Sequence, residues 1–322
     1  MVAQELERAV EPVFDDDSYG YRPGRSAHDA LAVCRERCWR YDWVVDLDVK
    51  SFFDSVDHQR MLAAVAHHTD QRWVLLYVER WLKAPLQQTD GTLRARDRGT
   101  PQGSAVSPVL ANLFLHYAFD RWMRRVFPST PFERYADDAV VHCNSLAEAE
   151  QVRDAIATRL AECGLELHPD KTRIVYCKDD GRPGSHEHES FDFLGYTFRP
   201  RLAATKYGTK FVSFLPAISN RAAKAKRRQI RRWRLHRWSN KTLKDLANFI
   251  NPIVRGWVNY YGRFYRSEVT DAVLRHINNY LMRWAMNKYK RLRRSRRRAI
   301  RFLEQTFRSD PGLFVHWRYV QP

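Results

Sequence analysis

Residues 132–143 read FERYADDAVVHC. Two β-favouring runs, residues 132–135 and 139–143, flank Ala136-Asp137-Asp138, a pattern that predicts a tight hairpin with two carboxylates at its tip. Upstream, WVVDLDV at residues 43–49 is a β-branched run bounded by polar residues and predicts a buried strand. Side chains alternate along a strand, so Asp46 and Asp48 share one face. An ionised carboxylate is expensive to bury, and a like charge nearby raises the cost. Either group alone reads as ordinary turn or strand-end aspartate in water. Together, clustered carboxylates are stable when they hold hard divalent cations, and Mg²⁺ takes a few carboxylates plus substrate phosphates. Two such ions can clamp the attacking and leaving oxygens of an in-line phosphoryl displacement.

Outward from these strands the pattern is mixed. Helices are predicted over residues 1–14, 27–41, 58–68, 71–82 and 146–163, the last stopped by Gly164. Ser107-Pro108 predicts an N-cap with proline at the first helical position, opening a helix that runs to about residue 127. Short strands are expected near residues 172–177 and 191–198, and residues 87–98 form a hairpin turning at Asp90-Gly91. Past Pro216 the pattern turns helical and basic, with the boundary between residues 199 and 216. The expected organisation is residues 1–200 followed by a basic helical unit over residues 201–322.

The chain has 322 residues and a formal charge of +18, with 10 Trp, 15 Tyr and 17 Phe, enough apolar mass to exclude wholesale disorder. No window approaches the roughly 18 uninterrupted apolar residues a membrane span needs. No secretory signal is legible, and five cysteines without paired spacing argue for a reducing compartment. The charge is split: residues 201–322 hold 30 Lys+Arg and 5 Asp+Glu, a balance of +25, against −7 over residues 1–200. A merely solvated face mixes signs, so the basic unit points to nucleic acid. Its cations flank Ile230, Trp233 and Trp238, which read as core, while Arg227, Arg228, Arg231, Arg232, Arg294 and Arg297 read as an outward phosphate-tracking surface. Cys34 and Cys38 stand one helical turn apart with no second pair to complete a zinc site, and read as packing residues.

These motifs, in order, resemble those of group II intron reverse transcriptases with their maturase (thumb) domain, within the retron-type reverse transcriptase family. The resemblance rests on SYGYRPGRSAHDAL (residues 18–31), VVDLDVKSFFDSVDH (44–58), GTPQGSAVSPVLANL (99–113) and RYADDAVVHC (134–143). It continues through GLELHPDKT (164–172), FDFLGYTF (191–198), NPIVRGWVNYY (251–261) and LFVHW (313–317), covering nearly the whole chain. It implies an α+β fold: a right-hand polymerase palm with partial fingers, an antiparallel sheet plus helices, followed by an α-helical thumb/maturase domain.

Residue by residue, the resemblance implies that Asp48, Asp137 and Asp138 are catalytic and, with Val49, bind two Mg²⁺ ions. Phe53 would close against the 2′ position of an incoming nucleotide and disfavour ribonucleotides. Asp46 would support the strand end. Gln102 would lie near the templating pair, and Val49, Ser51, Phe52 and Phe53 would face the triphosphate, with Phe52 also a natural core aromatic. Lys171 would reach the phosphates or serve as a turn residue. Leu194 and Gly195 would support the primer end, and Arg22 and Arg25 would touch template phosphate or lie in solvated turns. The implied activity is RNA-directed DNA polymerisation with intron RNA binding, splicing and a role in mobility. Implied partners are structured intron RNA, an RNA/DNA template–primer duplex and dNTPs, with no membrane. A maturase without significant polymerase activity and a truncated remnant are the alternative readings. The resemblance also implies a chain that starts within the fingers, lacks an endonuclease domain, and works in the cytoplasm, on the nucleoid if bacterial.

Overall fold

The computed structural model describes residues 1–101 and 103–322. The chain divides into two compact units, Met1–Leu194 with Arg199–Phe214, and Gly195–Phe198 with Leu215–Pro322. The strands in chain order are β1 (Trp43–Leu47), β2 (Leu86–Gln87), β3 (Leu93–Arg94), β4 (Phe132–Tyr135) and β5 (Asp138–Cys143). They continue with β6 (Arg173–Tyr176), β7 (Phe191–Phe193), β8 (Tyr196–Ala204) and β9 (Lys210–Ile218). The central sheet has the order β4-β5-β1-β6, and every neighbouring pair in it is antiparallel.

Strand alternation decides what each face of this sheet does. Trp43, Val45 and Leu47 of β1, with Ala139, Val141 and Cys143 of β5, join the apolar core. Helices Val2–Val10, His58–His68, Arg72–Lys83, Ser107–Leu115 and Leu146–Glu162 bury their stripes in the same core. The opposite face carries Val44, Asp46, Val140 and His142. Helix Ala27–Cys38 packs against β4 and β5. It begins with a capping box in which Ser26 and Asp29 satisfy each other's backbone N–H groups.

In the second unit, helices Asn220–Trp233, Leu243–Tyr261, Arg275–Lys288 and Arg296–Ser309 enclose a separate core. Ile230 and Trp233 are buried there and Trp238 packs against it, and the Trp233 and Trp257 rings stack 5.5 Å apart. The fold is thus mixed helix and sheet, an antiparallel palm with fingers elements followed by a helical unit. Among the described residues no helix is long and apolar enough to cross a membrane.

Two local expectations change. Residues 199–216 read as a boundary, yet β8 and β9 run through them and turn at Gly208, in a sheet of order β7-β8-β9. Pro200 and Pro216 sit inside these strands, and exposed cations break the alternation that would have disclosed them. Ser107 is not the N-cap: Val106 takes that position, and the Ser107 hydroxyl donates to the Pro101 carbonyl instead. That bond draws the Gly/Pro loop onto the helix start.

One buried cation ties the hairpin to the helices. The Arg134 side chain is 1% exposed and donates to Asp120 at 2.7 and 2.5 Å, to Asn112 at 3.0 Å and to the Ala136 carbonyl at 2.9 Å. Asp120 lies on a single π-helical turn, His116–Asp120, between Ser107–Leu115 and Arg121–Val126. Breaking a buried pair strands a charge, at about 3–5 kcal/mol. Arg134→Met should therefore lower unfolding stability by that order in a urea titration; a loss within experimental error would show that the pair is dispensable.

Candidate active site

The β4–β5 hairpin closes in two residues: Tyr135 pairs with Asp138, leaving Ala136 and Asp137 at the tip. Ala136 has φ 57°, a left-handed conformation a side chain rarely adopts. Neighbours hold it there. The Ala136 carbonyl takes the Arg134 bond, and Gly20 lies against the same backbone so closely that a Cβ would sit 2.9 Å from the Tyr135 carbonyl carbon. Gly20 is itself fixed by Asn112, whose amide donates to its carbonyl at 2.6 Å. The SYGYRPG stretch thus forms the back wall of the carboxylate turn.

Asp48 arrives from the other side. Leu47 pairs with Ala139, so one further step of the same register sets Asp48 across from Asp138. The backbone beyond β1 is held by the segment after Gly164: His168 N donates to the Asp48 carbonyl and Lys50 N to the Glu166 carbonyl, both at 2.8 Å, and Val49 bridges Leu167. Ser51 then turns left-handed, φ 48°, into the short helix Phe52–Ser55. Gly99 closes over that turn with φ 84°; a Cβ there would come 2.8 Å from the Phe53 carbonyl oxygen. Thr100 N donates to the same carbonyl at 2.6 Å.

The result is one open cavity of about 490 Å³ lined by residues 48–54, Asp137, Asp138, His168 and Lys171. The Lys171 ammonium lies 3.3 Å from both Asp48 oxygens. Burial, reinforced by the charge of Asp48, pushes the Asp137 carboxyl above its ordinary value. Asp46, two residues back and on β1, is pushed up to about 8 by burial and by Asp138, Asp192 and Asp48. Carboxylates held together against repulsion, open to solvent on one side, suit hard divalent cations with oxygen ligands. A larger cavity, about 920 Å³, lies among His67, His68, His116 and several arginines. Its one carboxylate, Asp15, is engaged by Arg124 at 2.7 Å, so it offers no comparable metal chemistry.

The other expected site residues fall in several places. Phe53 is half-buried on the cavity wall, whereas Phe52, also at the wall, is 2% exposed and packs in the core. Gln102 lies outside the described residues. Leu194 and Gly195 form the left-handed turn after β7, with φ 50° and 78°. Arg22 is not available to a template in this structure. Its guanidinium is buried, pairs with Glu11 at 2.9 Å and donates to the Asp15 and Ser18 carbonyls, because the turn around it has carbonyls to satisfy. Arg25 pairs with Asp16 at 2.8 Å, and Arg227 donates to the Ala272 carbonyl. Arg228, Arg231, Arg232, Arg294 and Arg297 are exposed. Sequence reading missed His168 on the cavity wall and the structural role of Arg134; each sits inside a recognised motif, which was the available signal.

A family model described as reverse transcriptase (RNA-dependent DNA polymerase) matches residues 1–198, well over half of the chain. The chain belongs to the reverse transcriptase family. A second model, the group II intron maturase-specific domain, matches residues 223–302. The chain is 27% identical over 324 residues to a Schizosaccharomyces pombe protein named "Uncharacterized 91 kDa protein in cob intron", covering 80% of this chain and 39% of that one. It is 35% identical over 111 residues to the group II intron-encoded protein LtrA of Lactococcus lactis subsp. cremoris, covering 34% of this chain and 18% of LtrA. The chain thus spans well under two thirds of these relatives' length. A solved telomerase from Candida albicans, in complex with a fragment of telomeric RNA, matches with a TM-score of 0.51 and 13% identity, covering all of this chain and 57% of that one. At that identity it supports the fold alone.

The unusual titration of Asp46 gives a stability test free of metal. The folded chain keeps this proton to about pH 8, whereas unfolded aspartate loses it near 3.8. The folded state therefore binds the extra proton in that window, and stability falls as pH rises through it. Asp46→Asn removes the dependence. In EDTA, its Tm should match wild type near pH 4 and exceed it increasingly toward pH 8; a constant offset would refute the raised value.

Proposed function

We propose that this chain is an RNA-directed DNA polymerase that also binds intron RNA, assists its splicing and takes part in intron mobility. The observation that carries the reading is the meeting of Asp48, Asp137 and Asp138 on one open cavity in a member of the reverse transcriptase family. In the reaction the primer 3′-hydroxyl gives up its proton to solvent, its oxygen bonds to the α-phosphorus of a dNTP, the α–β bridging bond breaks, and pyrophosphate leaves. Asp48, Asp137 and Asp138, with the Val49 backbone, would hold two Mg²⁺ ions. Bound there, the ions supply charge neutralisation for the attacking and leaving oxygens.

The protein's own groups do the rest. The Asp48–Lys171 ion pair keeps a mobile cation at the cavity mouth, where it can transfer to a triphosphate oxygen. The Phe53 ring on the wall excludes a 2′-hydroxyl by bulk. The backbone from Val49 to Phe53 is fixed by its bonds to residues 166–168 and to Thr100, so its N–H groups other than that of Lys50, which donates to Glu166, would meet phosphate without reorganising. Leu194 and Gly195 support the primer end. Exposed Arg228, Arg231, Arg232, Arg294 and Arg297 engage duplex or structured RNA through phosphates. Those arginines also favour the second reading, an RNA-binding maturase in which polymerisation is lost.

Primer extension on an RNA template with Mg²⁺ separates the readings. Asp137→Ala and Asp138→Ala should each reduce extension about 100- to 1000-fold while leaving salt-sensitive intron RNA binding intact. Extension unaffected by both changes would refute the catalytic assignment; a wild type that binds RNA tightly but never extends would favour the maturase. In the same assay, Phe53→Ala should increase ribonucleotide incorporation, and unchanged sugar selectivity would count against its steric role.

A further inference from the structure

The larger cavity, about 920 Å³, shares no lining residue with the aspartate cavity. Four arginines, Arg121, Arg124, Arg125 and Arg159, line it against one carboxylate, Asp15, within residues 1–200, where the charge balance is −7. Two of these arginines are used by the fold. Arg124 pairs with Asp15 and Asp17, both at 2.7 Å. Arg159 donates to the Tyr117 and Ala118 carbonyls at 3.2 Å and pairs with Glu162. The other two have donors to spare. Arg125 is exposed and makes no hydrogen bond or ion pair among the described residues. Arg121, also exposed, makes none either and lies over the Tyr117 ring, 5.6 Å from its centroid.

The backbone brings the spare pair to one wall. The Arg121 N–H bonds to the His116 carbonyl, closing the π-helical turn His116–Asp120. The two residues that close an i→i+5 turn come onto one face, and His116 and Arg121 both line the cavity. Arg125 follows one turn later on helix Arg121–Val126, and side chains four apart are neighbours. Like charges at that spacing repel; an anion held between them removes the repulsion. Two of the histidines add no charge at neutral pH. Burial, with Arg134 and Arg121 nearby, pushes His116 down to about 4, and burial and His67 lower His68. The remaining wall is aromatic: Tyr117 and Trp122 are half-buried, and the Tyr117 hydroxyl is held by the His68 Nε2 at 2.7 Å.

We infer that this cavity binds a nucleotide unit, its phosphate held by Arg121 and Arg125 and its base against the ring wall of Trp122 and Tyr117. Guanidinium groups offer phosphate oxygens paired N–H donors. An aromatic wall beside them takes the face of any base without reading its edges. The cavity is far larger than one phosphate, so the ligand brings more than its anion. A strand of RNA lying across the cavity and a free nucleotide share this chemistry. No bond is made or broken here, and the site does not depend on catalysis at the aspartates.

The test is photo-crosslinking of the full chain in EDTA, which keeps metal-held nucleotide out of the aspartate cavity. One arm uses a thiouridine-containing oligoribonucleotide and the other thiouridine monophosphate, with the modified peptide identified by mass spectrometry. An adduct within residues 116–125 is expected in at least one arm. From the oligoribonucleotide alone it identifies the ligand as an RNA strand; from the monophosphate it identifies a free nucleotide. Arg121→Glu combined with Arg125→Glu should lower that adduct about tenfold or more, while adducts on the basic helical unit persist. Both side chains are exposed, so the double variant should fold. Arg60→Glu combined with Arg153→Glu, the same charge change outside the cavity lining, should leave the adduct at wild-type yield. No adduct at this cavity in either arm would overturn the proposal. An equal loss in the two double variants would overturn it as well, by reducing the effect to overall charge. Neither outcome bears on primer extension, so the polymerase reading stands or falls separately.

Discussion

The candidate active site rests on a buried ion pair. Arg134 stands next to the carboxylate turn, yet its guanidinium points away into the protein, where Asp120, Asn112 and the Ala136 carbonyl engage it. Through Asn112 the same group fixes Gly20, and through Ala136 it holds a left-handed residue in place. Such a pair adds little net stability over an apolar substitute. What it supplies here is position: a hairpin tip that would otherwise fray is held at three points by groups that cannot move without burying an unpaired charge.

Position matters because the carboxylates repel. Asp137 is raised by burial and by Asp48, and Asp46 is raised further by burial and three acidic neighbours. Lys171 offsets part of this at Asp48. The +18 of the chain therefore says little about the site, which is locally acidic, and describes instead the basic helical unit that follows. The aspartate-lined cavity and the basic helical stretch thus carry opposite charge.

Much of this was legible in the sequence. β1 and the β4–β5 hairpin follow from β-branched runs around isolated aspartates, and the long helices from their caps and apolar spacing. Phe52 and Phe53 differ in burial as adjacent residues at a helix start must, one facing the core and one the cavity. Strands β8 and β9 escaped because prolines and cations interrupt their alternation. Arg22 was misread because an arginine in a polar turn looks solvated until the carbonyls it must satisfy are known.

The sequence by itself determined which residue types are present, their local periodicity, and the charge division between the two halves, because these depend only on near neighbours along the chain. It could not determine which distant side chains meet. That Lys171 sits on Asp48, that Arg134 turns inward, and that His142 meets Glu133 are consequences of strand register and helix docking. Such contacts join residues more than a hundred positions apart in some cases, and no spacing rule along one chain encodes them.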